Sequence, residues 1–237
     1  MKKLMFFAMV ASLLFFAGCE KEKDFPSGVG LFSVSEGKQV RFASGNLEYD
    51  SINGYRFAAH QYDYGGYFGW GTGSNPTLTS IFYRDYPTFD DWGNHIAGGW
   101  RTLTWDEWHY VILDRADASA KRGAATVCGA HGIVLLPDNF SGGTFNAGFD
   151  FDNRWSWNVY DASSWSDMET AGAVFLPAAG YRRGTELDSV GTYGTYWSST
   201  PVGTNNAWYV FLFELDVVNG VNIGRGYGRS VRLVQDY

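Results

Sequence analysis

The chain has 237 residues, with 18 Lys and Arg against 25 Asp and Glu, and aromatic residues make up 18% of it. An acidic chain without a basic stripe is poorly suited to a phosphate backbone, so the composition argues against a nucleic-acid partner. Thirty glycines together with this many rings disfavour a helical bundle. They favour one loop-rich domain with an aromatic core.

Residues 1–18 are predicted to be a secretory signal peptide. Lys2 and Lys3 precede an apolar run, residues 4–17, which is shorter than the roughly 20 residues that a transmembrane helix needs. The sequence "FFAGC" resembles a bacterial lipobox, in which the peptidase cuts before the cysteine and the thiol is lipidated. We therefore predict lipidation of Cys19, with an ordinary signal peptide and an incidental cysteine as the alternative.

Residues 19–30 are predicted to be a tether between the lipid and the folded domain. The sequence "EKEKDFPSG" is charged and then carries Pro and Gly, which is typical of a solvated linker. Acidic residues just after a lipidated cysteine resemble the surface-export signals of Bacteroides-type lipoproteins, which implies a lipid-anchored protein of the outer membrane, facing the cell surface. Cleavage would leave 16 basic against 25 acidic residues, a net charge of −9.

The first half of the remaining chain is predicted to form strands and then a helix. Residues 38–50 alternate in polarity, and a second run, 54–65, follows a turn. Thr104 and Glu107 then have the spacing of a capping box. The side chains on helical steps after this box, which we expect to be buried, are Trp108, Val111, Ile112 and Arg115.

The second half is predicted to contain two buried strands around another helix, and then a closing pair of strands. The buried runs begin at Gly132 and Gly172. Between them, Ser166 and Glu169 have capping-box spacing, and Met168 and Ala171 would face inward. The closing strands are residues 207–218 and 229–235. Four long loops rich in Gly, Ser, Asn and Asp, which are typical of functional segments, are residues 66–77, 141–157, 182–194 and 219–228.

Four segments together resemble the formylglycine-generating-enzyme family and the related Bacteroides and Fibrobacter lipoprotein paralogues. They are "WRTLTWDEWHYVILDR", "GAVFLPAAGYRRG", "GTYWSST" and "GRSVRLV", in this order. The resemblance covers about residues 31–237 and implies an α+β, C-type-lectin-like domain, in which two helices flank a small twisted antiparallel sheet with long loops. It also implies that Trp197 is a core residue and that Ser198 and Ser199 pin a loop.

The enzymatic activity of that family is not implied here. Those enzymes hold copper through a cysteine pair near the C-terminus, and this chain has no cysteine after Cys128. Cys128 and His131 could be imagined as a nucleophile and its base, but apolar neighbours favour an inert thiol of the core. With Cys19 lipidated, no cysteine remains to pair with Cys128 within the chain.

Metal chemistry is not predicted either. The four histidines have no zinc-ligand spacing, and the calcium motifs of sugar-binding lectins with this fold are absent. Asp150 and Asp152 are interpreted as part of a solvated turn in preference to a cation site. We therefore predict no catalytic residues, no metal and no cofactor, and a divergent oxidase remains the alternative from the enzyme class.

The C-terminal third is predicted to carry a binding surface for a protein or a glycan. In residues 207–213 both faces of the strand are apolar, so either the strand is central or one face is an exposed aromatic patch. The next loop, 219–229, combines Asn, Gly, Tyr and Arg as antibody paratopes do. The predicted ligand-binding residues are Trp155, Tyr193, Asn205, Asn206, Trp208, Asn219, Asn222, Arg225, Tyr227 and Arg229.

Two special forms of this binding function stay open. Bacteroides-type pilins also begin as lipoproteins, so the chain could be an adhesive subunit at a pilus tip. Some bacterial C-type-lectin-like proteins are targets of diversity-generating retroelements, which randomise adenines in a C-terminal stretch. In "DVVNGVNIG", residues 216–224, every residue is one that an Asn codon could reach in this way.

Overall fold

A computed structural model describes residues 30–237. Within this range the chain is a mixed α+β structure made of small, mostly antiparallel sheets and two α-helices. The predicted signal peptide, the lipidation site Cys19 and the tether up to residue 29 lie outside the described residues. No helix in residues 30–237 is long and apolar enough to cross a membrane.

Most of the helices and strands are short. The strands are β1 (Phe32–Ser35), β2 (Lys38–Phe42), β3 (Leu47–Asp50), β4 (Gly54–Phe57), β5 (Arg122–Val127), β6 (Ala130–Leu135), β7 (Val159–Tyr160), β8 (Val174–Pro177), β9 (Tyr181–Arg183), β10 (Glu186–Asp188), β11 (Gly194–Val202), β12 (Asn206–Phe213), β13 (Asp216–Gly224) and β14 (Val234–Asp236). The helices are α1 (Trp105–His109), continued by a π-helical turn (Tyr110–Asp114), and α2 (Ala162–Thr170). Single 3-10 turns are Tyr83–Asp85, Trp92–His95, Ala118–Lys121 and Arg154–Trp157.

The strands pair into several small sheets, where the resemblance led us to expect one. Within residues 30–237 the sheet orders are β1-β2-β14, β3-β4, β7-β5-β6-β8, β9-β10 and β11-β12-β13. The two predicted buried runs, which begin at Gly132 and Gly172, are antiparallel neighbours, with Ile133 opposite Leu176. Long loops separate the sheets, so their faces meet through side chains and not through one continuous ladder.

Helix α1 begins as predicted. The Thr104 hydroxyl accepts a hydrogen bond from the Glu107 N–H at 3.2 Å, and the Glu107 carboxylate accepts one from the Thr104 N–H at 2.8 Å. This reciprocal box satisfies two N–H groups that the first turn leaves unpaired. The inward-facing positions are buried as expected; they are Trp108, Val111, Ile112 and Arg115.

The second predicted capping box is wrong. Helix α2 starts at Ala162, and Asp161 caps it by accepting a hydrogen bond from the Ser164 N–H at 2.8 Å. Ser166 therefore lies inside the helix, because the earlier Asp161 already satisfies the first turn. Met168 is buried as predicted, whereas Ala171 lies just beyond the end of the helix and is half-buried.

The segment "TYWSST" is a core strand. Trp197 is buried in β11, and its indole N–H donates to the Phe68 carbonyl at 2.7 Å. The Ser198 hydroxyl donates to the Trp208 carbonyl at 2.9 Å, and the Ser199 N–H donates to the Leu103 carbonyl at 2.9 Å. Ser199 thus pins a loop, the segment before α1, whereas the partner of Ser198 is strand β12 and not the loop that we expected.

The closing part of the chain differs from the prediction. Residues 216–224, predicted within a strand–loop transition, form β13, which pairs with β12 along its whole length. Gly220, with a φ of 112°, is the extra residue where the register shifts between Tyr209 and Val210. The last strand, β14, pairs with β2 and not with the strand predicted beside it. Pairing with β2 closes the domain by joining its two ends.

Candidate ligand-binding site

The structure brings three of the ten predicted ligand-binding residues together. Trp208 on β12 and Asn222 on β13 are direct register partners. Asn206 lies two residues before Trp208, so the two side chains share one face of the strand. The Asn206 side-chain amide donates to Asn222 Oδ1 at 2.9 Å. One ring and two amides therefore occupy the same end of the β11-β12-β13 sheet.

A second indole, which the sequence reasoning missed, completes this surface. The rings of Trp105 and Trp208 lie 5.3 Å apart at an interplanar angle of 35°. Trp105 is held at the start of α1, where its backbone N–H donates to the Thr200 hydroxyl at 2.9 Å. The two tryptophans are far apart in sequence, so no spacing pattern could predict their contact. The packing of α1 against the sheet brings them together. We call Trp105, Trp208, Asn206 and Asn222 the tryptophan–asparagine face.

The tryptophan–asparagine face is both accessible and firmly supported. Asn222 is exposed, and the other three side chains are half-buried. Val210 and Leu212 continue the same face of β12 into the core, where they are fully buried. Ordered rings and amides on a strand and a helix offer contact area and both kinds of hydrogen-bonding group without the entropy cost of ordering a loop.

Tyr193 lies on the opposite face of the sheet. Its ring is 5.1 Å from that of Phe211, which stacks on Phe213 at 5.5 Å, and Tyr193 is 37% exposed. Phe211 and Phe213 are half-buried. The apolar strand β12 is therefore central in its sheet, with one face in the core and the other only partly covered.

The remaining residues of the predicted set are dispersed along the chain. Asn205 is exposed in the turn between β11 and β12 and accepts a hydrogen bond from the Thr204 hydroxyl at 2.8 Å. Tyr227 is half-buried, with its ring 6.2 Å from that of Tyr181. Asn219 lies on β13, where its backbone is the partner of Val210. None of these three is part of the tryptophan–asparagine face as we define it.

The predicted exposure of Trp155 and Arg225 is wrong. Trp155 is only 7% exposed, and its ring stacks on that of His131 at 5.5 Å. Arg225 is 5% exposed and lies over the Trp70 ring at 4.3 Å. Its guanidinium donates to the backbone carbonyls of Asn206, Tyr86, Pro87 and Gly203. A planar group with five donors suits this task, because loops without a ladder leave carbonyls unpaired.

The predicted exposure of Arg229 is also wrong. It is 2% exposed, and its guanidinium lies 3.5 Å from the ring centre of Tyr209 and 5.2 Å from that of Trp197. Burial lowers the pKa of Arg229 to about 10, with Tyr209 and Tyr181 opposing the shift. Among residues 30–237, its Nε and Nη1 find no hydrogen-bond partner. The contacts of the Arg229 guanidinium are therefore mainly cation–π contacts with ring faces.

The thiol that we expected in the core is on the surface. Cys128 is exposed at the turn between β5 and β6, with a φ of 48°. A ring nitrogen of His131 is hydrogen-bonded to the Gly191 carbonyl at 2.9 Å. Within the described part of the chain, no group of three or more His, Cys, Asp or Glu side chains is placed to hold a metal ion.

Comparisons of the chain with profiles of known protein families, with curated proteins and with solved structures find no match. The chemistry of the tryptophan–asparagine face is therefore inferred from its own contacts.

Proposed function

We propose that this protein is a non-catalytic binding module, a C-type-lectin-like domain carried by an outer-membrane lipoprotein, which recognises a protein or glycan ligand at the cell surface. The observation that carries the proposal is the tryptophan–asparagine face, in which two indoles and two amides from α1, β12 and β13 meet. The fold family and the lipid anchor rest on the sequence resemblances.

The composition of the face suits recognition by contact. Half-exposed indoles provide apolar area at a low entropy cost, and partly exposed rings on a soluble domain commonly mark a partner site. Each amide has a donor and an acceptor, so Asn206 and Asn222 can bond hydroxyl groups or a polypeptide backbone. Flat rings beside amides therefore fit a sugar or a protein loop equally well.

The test is a glycan and protein array probed with the full-length chain in detergent micelles. For any ligand bound, we expect Trp208→Ala to weaken binding by about tenfold or more, the effect of losing an interface anchor. Asn222→Ala should weaken it less. Trp157→Ala is the matched control, because Trp157 is also half-buried but lies in the 3-10 turn Arg154–Trp157 and not on β12, and it should leave binding unchanged.

Two results would contradict the proposal. Binding that survives both Trp208→Ala and Asn222→Ala would show that this face is not the site. Failure to retain any glycan or protein on the array, with the chain folded by circular dichroism, would count against a binding function.

Two special forms of the binding function have their own tests. Strand β13, the candidate retroelement-diversified segment, is an edge strand that contributes Asn222 to the face, so changes there would alter the ligand surface. An adjacent reverse-transcriptase gene with a near-copy template repeat is the expected signature, and its absence would exclude this form. A pilus-tip adhesin would be recovered in sheared surface filaments, whereas recovery only as free outer-membrane lipoprotein would exclude that role.

The alternative from the enzyme class depends on the exposed thiol. A divergent oxidase needs a redox residue, and Cys128 is the candidate. We expect Cys128→Ser to leave ligand binding unchanged. We also expect that neither the parent protein nor this variant oxidises thiol-containing peptides. A cysteine-dependent oxidation product in the parent protein would favour the enzyme.

A further inference from the structure

A second depression lies beside the turn between β11 and β12. It has a volume of about 450 Å³. Its lining residues are Tyr83, Arg84, Pro87, Gly203, Thr204 and Arg225. Two of these six carry a guanidinium group, and we call this depression the arginine pocket.

The charges of the two arginines are not neutralised by the protein. Arg84 is exposed and packs its guanidinium against the Phe82 ring at 4.9 Å. Arg225 bonds only backbone carbonyls, which carry no net charge. In residues 30–237, no carboxylate forms an ion pair with either arginine. The neighbouring Asp85 carboxylate instead accepts a hydrogen bond from the Ser80 hydroxyl.

The buried arginine of this pocket has no anionic partner among residues 30–237. Burial lowers the pKa of Arg225, and no carboxylate opposes that shift. By contrast, the buried Arg115 has the Asp138 carboxylate at 3.1 Å. Two neighbouring cations on an otherwise acidic protein attract a negatively charged group, and guanidinium groups bind carboxylate and sulfate oxygens with charge-assisted hydrogen bonds.

The walls of the pocket favour a sugar as the carrier of that charge. Tyr83 is 48% exposed and lies with Pro87 among the lining residues, so a flat ring is available for stacking on a pyranose. Thr204 adds a hydroxyl group. An extended acidic peptide would need a sheet edge or a long groove, whereas this depression has the size of a small-molecule site.

We propose that the arginine pocket binds a carboxylate- or sulfate-bearing sugar, with Arg84 holding the acid group, Arg225 contributing positive charge from the pocket wall, and Tyr83 stacking on the ring. This site goes beyond the proposed function, because its lining residues are different from those of the tryptophan–asparagine face. Arg225 thus has two roles, tying loops through carbonyls and contributing charge to the pocket.

The experiment titrates glucuronic acid, glucose 6-sulfate, glucose and tetraglutamate separately into the full-length chain in detergent micelles, followed by calorimetry. We expect saturable binding of at least one acidic sugar, weakened about 10- to 100-fold by Arg84→Ala, the range for one charge-assisted hydrogen-bonding group. Arg84→Lys should retain part of the affinity. Binding of only one acidic sugar would identify carboxylate or sulfate as the group recognised.

The matched control is Arg56→Ala. It removes the same charge from an exposed guanidinium that already has Glu48 and Asp50 as partners, and it should leave binding unchanged. Trp208→Ala should also leave it unchanged, which separates this site from the tryptophan–asparagine face. The proposal is overturned if glucose binds as tightly as the acidic sugars, if neither acidic sugar binds, if Arg84→Ala has no effect, or if tetraglutamate binds more tightly than both sugars.

Discussion

Two successive segments near the C-terminus differ in structure, although both were predicted to contribute ligand-binding residues. They are residues 216–224 and residues 225–232. The first is strand β13, which pairs with β12 on both sides of a bulge at Gly220 and presents Asn222 to solvent. The second makes only isolated bridges, in which Gly228 and Arg229 pair with segments far away in the chain. Its three arginines, Arg225, Arg229 and Arg232, are all buried.

The difference shows how backbone pairing decides the role of polar side chains. The backbone groups of β13 that face β12 are paired in the ladder, so its polar side chains are not needed to satisfy buried carbonyls and are available for a ligand. A segment that threads between loops meets unpaired carbonyls, and arginine is the residue that reaches them. Arg232, for example, donates to the carbonyls of Ala43 and Phe175.

The largest expected effect is on the free energy of unfolding, and it should differ between two tryptophans that contact different segments. Trp197 is fully buried next to Arg229, whereas Trp208 is half-buried opposite Asn222. We expect Trp197→Ala to lower the free energy of unfolding by about 3–5 kcal/mol and Trp208→Ala by about 1 kcal/mol. Urea unfolding followed by circular dichroism measures both, and equal losses would show that the two environments do not differ.

The next effect separates the two kinds of buried arginine. Arg225→Met leaves the carbonyls that Arg225 binds without a donor, so we expect a loss of about 2–4 kcal/mol in the free energy of unfolding. Arg229 has mainly ring contacts, and its Nε and Nη1 have no hydrogen-bond partner among residues 30–237, so Arg229→Met should cost less than about 1 kcal/mol. A larger loss for Arg229→Met in the same urea titration would reverse our assignment of their roles.

The smallest effect tests the bulge that shapes β13. Gly220 has a φ of 112°, which residues with a side chain rarely adopt. Gly224 is the control, because its φ is not positive and a methyl group added there would make only ordinary contacts with the Tyr227 ring. We expect Gly220→Ala to cost about 1–2 kcal/mol in the free energy of unfolding and Gly224→Ala less than about 0.5 kcal/mol. Thermal unfolding of the two variants should show this order, and equal midpoints would mean that the bulge relaxes.

Local signals in the sequence predicted some elements well and others poorly. The box formed by Thr104 and Glu107 is confirmed because both partners lie in one turn of helix. The box expected at Ser166 failed because Asp161 offered an earlier cap. Asn206, Trp208 and Asn222 were predicted as site residues from composition, whereas Trp105 was not, because its contact with Trp208 crosses from α1 to β12.

Residue types and short-range spacing by themselves determined the aromatic core and the cap of α1, and the resemblance added the buried strand around Trp197. These features depend on interactions between neighbours in sequence, and on the tendency of large rings to leave water. Only the tertiary structure decided which arginines face inward and which rings meet on a surface. An arginine can bind a ligand or a carbonyl with the same donors, so its role depends on which backbone groups the surrounding loops leave unpaired.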